Sequence, residues 1–485
     1  VSSTAEITDV TQRIQDQLIG IGHLVNGEIL PTEESFDVVA PWTGEVLASC
    51  PEASLELLDR AMSAARRALP AWAADIDRRK EALLTLAERL DAQAETLGLV
   101  NSAETGKPAF IGAGEIKGAA AHARWYAMQD LPVDTLADNE TELVQLVREP
   151  VGVVAAIVPW NGPIIMLINK IAAAMLAGDT VVAKPSPFTP LASLLVGNLI
   201  KDIVPAGVVN ILAGGDELGK AMTAHPETNL VAFTGSVEAG RSIMAAGAPT
   251  LKRMLLELGG NDAAIVLPDA NVEEIAPKLY RGAFALGGQI CAAIKRLYVH
   301  ESIFDQVVAA LAELANQAQP GDPFVDGTTM GPSTTKPQFE RVKGLIEDAL
   351  ANGGTAVTGG APLDRPGYFI PPTIITGIGK GVALVDEEQF GPALPVMPYS
   401  DIDAVIEEAN STELGLGGSI WTSDIQEGLK LARRLRSGGA WVNRHPHVGA
   451  EVPFGGMKQS GMGREGGAVG IEAFCELKTI SVAFG

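Results

Sequence analysis

Short apolar runs separated by amphipathic stretches dominate the middle of the chain. VGVVAAIVP (151–159), TVVAKP (180–185), VVNILAG (208–214) and LVAFTG (230–235) are brief apolar segments bounded by Gly, Pro or polar residues. Runs this short predict strands buried on both faces of a sheet. Between them, residues 163–176, 191–203, 218–224 and 237–246 repeat apolar positions at helical spacing. The first of these begins on Pro163, suited to a first helical turn, and stops at Gly178. Strands and helices alternating through short links predict a parallel, doubly wound α/β sheet, whose ligands bind beyond the carboxyl ends of the strands. Those ends carry Pro159-Trp160-Asn161, Lys184-Pro185-Ser186 and Phe233-Thr234-Gly235-Ser236.

The flanking patterns differ. Residues 54–104 read as helical, the second half as one long amphipathic helix with a packing role. Residues 131–148 read as a hairpin turning at Asp138-Asn139-Glu140. A second α/β pattern begins near Asp262 with AAIVL. It runs through RLYVH (296–300), a helical 302–318 and a strand near Thr355 to about Val442. The predicted architecture is two Rossmann-like α/β lobes plus a small extended flap.

Composition narrows the possible partners. The 485 residues suggest about three domains at roughly 150 residues each. Lys and Arg total 36 against 59 Asp and Glu, a net charge of −23. So negative a field argues against nucleic acid or an anionic membrane as partner. The three cysteines, Cys50, Cys291 and Cys475, offer no disulfide framework and no zinc spacing, which fits a reducing compartment. No secretory pattern is visible and no apolar run reaches about 18 residues, so a cytoplasmic protein is expected. The six histidines contain no HExxH arrangement, and no metal is expected.

Three residues invite a chemical reading, each with a plainer alternative. Cys291, in GGQICAAIKR, is a nucleophile if its surroundings activate the thiol, and otherwise a small buried hydrophobe. Glu257, in MLLELGGND, is a general base if burial raises its pKa, and otherwise a carboxylate satisfied by backbone amides at a strand end. Asn161, in VPWNGP, is an oxyanion donor or a helix cap before Pro163. FTGSVEAG (233–240) opens a helix with small residues, as phosphate sites do, but lacks GxGxxG spacing.

Together these segments resemble the aldehyde dehydrogenase superfamily. PWNGP, AKPSPFTPL, FTGSVEAG, LELGGND, GQICAA, EEQFGP and PFGGMKQSGMGREGG follow one another in that family's order and approximate spacing. The resemblance implies that Cys291 attacks an aldehyde to give a thiohemiacetal, with Asn161 and the Cys291 N–H holding the oxyanion. Hydride transfer to NAD(P) then leaves a thioester, which water activated by Glu257 hydrolyses. It also implies cofactor contacts from Trp160, Lys184, Gly235, Ser236, Glu388 and Phe390, with Lys170 a supporting charge. Many NAD-preferring members carry Glu three residues after the matching lysine. Here that position is Pro187, so NAD is the expected cofactor and NADP stays open.

The same resemblance divides the chain. Residues 1–127 and 151–258 become a dinucleotide-binding domain, 259–456 a catalytic domain, and 128–150 with 470–485 an oligomerisation flap of a homodimer or homotetramer. The substrate pocket maps to Gly162, Met166, Asn169, Ile290, Val448 and Phe454, with Ala285 near the nucleophile. Its small side chains imply room for a bulky, mostly apolar aldehyde, and Arg444 is a candidate partner for a substrate carboxylate. The rival readings are a coenzyme A-acylating relative, against which Glu257 argues, an idle structural protein on the same scaffold, and a cofactor-free thiol esterase.

Overall fold

The computed structural model describes residues 4–484. Its first sheet has a parallel centre ordered Val209–Ile211, Thr180–Lys184, Val153–Ile157, Leu230–Thr234 and Arg253–Glu257. Side chains alternate across it. Val154, Ala156, Val181, Ala183, Leu230 and Ala232 enter one buried cluster, while Val153, Ala155, Val182, Val231 and Phe233 enter another. That period of two, apolar on both faces, is what a sheet covered by helices on each side requires. From Val153–Ile157 the chain adds strands on one side and then returns to the other, so the switch point lies between Ile157 and Leu230–Thr234.

The second sheet runs Thr355–Thr358, Thr373–Thr376, Ala393–Tyr399, Ile294–His300, Asp262–Val266, Gly418–Trp421 and Trp441–Val442. All its pairs are parallel except the first. The carboxyl edge of the first sheet faces a crevice that also takes residues preceding strands of the second, including Cys291 and Glu388. A separate three-stranded antiparallel flap joins Asp134–Asp138, Glu142–Pro150 and Cys475–Ala483. Its tight turn is made by Asn139, whose Oδ1 accepts from the Thr141 N–H at 2.9 Å.

The helices depart from the sequence pattern in two places. The expected single helix breaks at Gln93 into Ile76–Ala92 and Ala94–Thr105. The helix Ala109–Ala127 carries no clear amphipathic pattern, because Gly and Ala line its buried side and let it lie close to its neighbours. At Gly98 an added Cβ would strike the Ala113 backbone, which is why two helices can touch there. Among the described residues no helix is long and apolar enough to cross a membrane.

Candidate active site

Asn161 follows the strand Val153–Ile157, and its Nδ2 donates to the Gln289 carbonyl at 2.9 Å. It does not cap the next helix. The N–H groups of Ile164 and Ile165 donate instead to Glu115 Oε1, at 2.9 and 3.2 Å, and Glu115 pairs with the buried Lys107. A carboxylate from another helix thus satisfies the start of Pro163–Ala177, leaving the Asn161 amide beside the cysteine loop.

Cys291 follows a left-handed turn in which Leu286, Gly287 and Gly288 have φ of 51, 64 and 72°. A side chain at Gly288 would collide with the Gly391 carbonyl, so glycine is required there. The buried Gln289 locks the turn. Its Nε2 donates to the carbonyls of Leu286 (3.0 Å) and Pro332 (3.2 Å), and its Oε1 accepts from Thr334 N–H at 2.8 Å. Behind the loop, Lys295 is 1% exposed. Its Nζ donates to the carbonyls of Cys291 (2.7 Å) and Gly260 (3.0 Å) and pairs with Glu388 at 3.1 Å. Cys291 itself is half-buried and borders two cavities, so it is not a sealed core thiol. Burial, then the nearby Glu257 carboxylate, push its pKa up, with Lys295 opposing. The thiol therefore needs an adjacent proton acceptor to become a nucleophile.

Glu257 ends the strand Arg253–Glu257 and is 2% exposed. No backbone amide among the described residues donates to either carboxyl oxygen; the hydrogen-bonding neighbour is the Cys291 thiol. Burial lifts its pKa to about 8, the nearby Glu465 adds to the rise, and Lys170 opposes it. Lys170 is fully buried against Glu465 and donates to Thr234 Oγ1 at 2.8 Å. A poised carboxyl and a half-open thiol therefore share one crevice.

The sequence profile of the aldehyde dehydrogenase family matches residues 29–480. The chain belongs to the aldehyde dehydrogenase family. It is 38% identical over 464 residues to aldehyde dehydrogenase 1A1 of Homo sapiens, covering 93% of this chain and 92% of that one. Identity to a phenylacetaldehyde dehydrogenase of Pseudomonas fluorescens is 36% over 496 residues, with 97% of each chain covered. An aldehyde dehydrogenase of Bacillus cereus, solved as its NAD+ complex, superposes with a TM-score of 0.93 at 35% identity, covering 96% of this chain and 97% of that one. The protein is an NAD(P)-dependent oxidoreductase acting on aldehydes.

The dehydrogenase has a crevice that fits a dinucleotide. Two adjoining chambers, of about 510 and 530 Å³, share Ser236 and Glu238 at the switch point. Lys184 lies in the first, 4% exposed, with the Pro185 carbonyl at 3.4 Å as its hydrogen-bond acceptor. Burial lowers its pKa to about 8, so an added acceptor such as a ribose hydroxyl suits it. Ser236 caps the helix Val237–Gly247, accepting from Ala239 N–H at 3.2 Å, and such a helix start favours phosphate. The second chamber holds Trp160, Gly235, Glu388 and Phe390. The Trp160 and Phe390 rings meet edge to face with centroids 5.3 Å apart. A Cβ at Gly259 would drive into the Glu388 carboxylate.

A second cavity of about 170 Å³ opens on the other side of Cys291, lined by Met166, Asn169, Ile290, Val448 and Phe454 among others. Three expectations fail here. Gly162 and Ala285 lie off its wall. The space Gly162 leaves is taken by Ile165 and Met166, whose side-chain carbons would stand 3.4 and 3.7 Å from an added Cβ. Arg444 is exposed and also lies off the wall. The neighbouring His445 is buried, hydrogen-bonded to Ser419 Oγ at 3.0 Å and 3.5 Å from Asp262. Sequence reasoning missed Glu115, Gln289, Lys295 and Glu465. Only Gln289 and Glu465 had a local signal, as polar side chains set among the glycines of GGQIC and GREGG.

Proposed function

We propose that this dehydrogenase oxidises a bulky, mostly apolar aliphatic or aromatic aldehyde to its carboxylic acid through covalent adducts on Cys291. The observation that carries this reading is Cys291 at the junction of the dinucleotide crevice and the apolar cavity, with Glu257 beside it in the crevice. The similarity to a phenylacetaldehyde dehydrogenase supports an aromatic substrate.

Cys291 Sγ passes its proton to the Glu257 carboxylate, which releases it to solvent before hydrolysis, and adds to the carbonyl carbon, forming a thiohemiacetal. The Asn161 amide exchanges its Gln289 partner for the developing oxyanion, joined by the Cys291 N–H. Lys184, Gly235, Ser236, Trp160, Glu388 and Phe390 would hold the dinucleotide, within 1–127 and 151–258 except for the last two. NAD, or NADP given Pro187, would supply the hydride acceptor when bound. Glu257 removes a proton from water, the hydroxide adds to the thioester, and the acid leaves as the Cys291 thiolate is restored. Residues 259–456 contribute the cysteine loop and the far wall of the crevice.

Exposed Leu136, Leu477, Ile480, Val482 and Phe484 on the flap support its use in a homodimer or homotetramer. Three free cysteines support a cytoplasmic site of action. Cys291→Ala tests the reading: aldehyde-dependent formation of reduced dinucleotide should vanish while dinucleotide binding, followed by calorimetry, persists. Turnover above a small fraction of wild type would overturn it.

A further inference from the structure

The cavity beyond Cys291 is apolar except on one side, where His122, Asn169 and Glu465 meet it. Their hydrogen bonds fix which atoms remain unused. Asn169, 7% exposed, donates from Nδ2 to Glu465 Oε2 at 3.1 Å, and Glu465 is already paired with Lys170. A carboxylate so paired accepts only, which fixes the orientation of the Asn169 amide. Its Oδ1 therefore faces the Tyr126 hydroxyl at 3.0 Å and His122 Nδ1 at 3.2 Å. An amide oxygen cannot donate, so both neighbours must, and His122 carries its proton on Nδ1. Nε2 is left as a lone-pair acceptor with no hydrogen-bond partner among the described residues. Burial lowers the His122 pKa and holds the ring neutral, so that lone pair persists. Among the lining residues there is no Lys or Arg.

We propose that this wall selects aldehydes bearing a neutral hydroxyl distant from the carbonyl, the hydroxyl donating to His122 Nε2. A hydroxyl donates to that acceptor, whereas a methyl ether or an ionised carboxylate has no proton to give. A carboxylate-bearing semialdehyde meets Glu465, and Glu451 close by, with no cation to receive it. His122 is thus the specificity residue, and Asn169, held by Tyr126 and Glu465, positions it by fixing its tautomer. The inference rests on oxidation of a bulky aldehyde at Cys291.

The test uses three matched aromatic aldehydes on the full-length enzyme: one with a para hydroxyl, its methyl ether and the unsubstituted parent. The wild type should favour the phenol over the ether by about tenfold in kcat/KM, the worth of one buried hydrogen bond. In His122→Leu that ratio should fall close to one. In His122→Gln, whose amide oxygen can accept, part of it should return. Because each ratio is taken within one protein sample, loss of folded enzyme does not alter it. Calorimetric binding of the corresponding phenolic and methoxy acids gives a second readout independent of turnover. Equal handling of phenol and ether by the wild type overturns the inference, as does a preference that survives in His122→Leu. Failure to oxidise any of the three overturns instead the reading of the substrate as a bulky aldehyde.

Discussion

Glu257 should control how hydrolysis of the acyl enzyme responds to pH. With a pKa of about 8, roughly one-tenth of the carboxyl is ionised at pH 7 and about nine-tenths at pH 9. The deacylation rate should rise close to tenfold across that interval and then level off. Rapid-quench sampling of enzyme acylated on Cys291, read by intact mass, measures it directly. Glu257→Gln should accumulate the acyl adduct, hydrolyse it about 10²–10⁴-fold more slowly at pH 8, and keep only the unlevelled rise expected of hydroxide. A flat wild-type profile from pH 6 to 9, or a plateau surviving in Glu257→Gln, would refute the reasoning. The same burial has a cost in stability. The folded pKa is raised above the ordinary 4.5, so stability is intact below about pH 4.5 and is lost progressively as pH rises through 8. By pH 7 the loss is on the order of 3 kcal/mol, from about 2.5 pH units at roughly 1.4 kcal/mol each. Glu257→Gln should therefore raise the denaturation midpoint more at pH 8 than at pH 5.

Asn161→Ala should lower kcat by about 10²–10³-fold with little change in stability, whereas Glu115→Ala should cost about 3–5 kcal/mol by stranding the buried Lys107; urea titration separates the two. Gly259→Ala should push the Glu388 carboxylate from its place and weaken dinucleotide binding by calorimetry, with tight binding retained as the contrary result. Pro187→Glu should shift preference from NADP toward NAD by placing a carboxylate near the 2′-phosphate. Unchanged kcat/KM for both dinucleotides would count against that placement.

Much of this fold is written locally. Val153–Ile157, Thr180–Lys184 and Leu230–Thr234 announce themselves because a buried parallel strand needs only a brief apolar run with Gly or Pro nearby. The chemical residues at their ends follow from the same logic. What could not be read is long-range. Glu465 reaches Lys170 across 295 positions and Glu115 reaches Ile164 across 49; nothing beside Glu115 signals a buried partner, and the glycines around Glu465 mark a tight site without pointing to Lys170. Lys295 looks like one more solvated base in IKR, yet it ties the Cys291 carbonyl to Glu388. Asn161 failed as a cap because the competing acceptor comes from a helix whose Gly- and Ala-rich face gives no amphipathic signature.

The chain also crosses back between its lobes late. Gly461–Met462 pairs antiparallel with the end of Arg253–Glu257, Leu258 N–H donates to the Ser460 carbonyl at 3.0 Å, and Ser460 Oγ donates to the Gly259 carbonyl at 2.7 Å, 201 positions away. During synthesis the strand that carries Glu257 therefore waits with an open edge until some two hundred further residues have emerged. A nascent or prematurely terminated chain stopping short of Ser460 exposes that edge for pairing with other chains. Full protection of the catalytic strand is thus a late event in the life of each molecule, and the interval before it is when aggregation competes most strongly with folding.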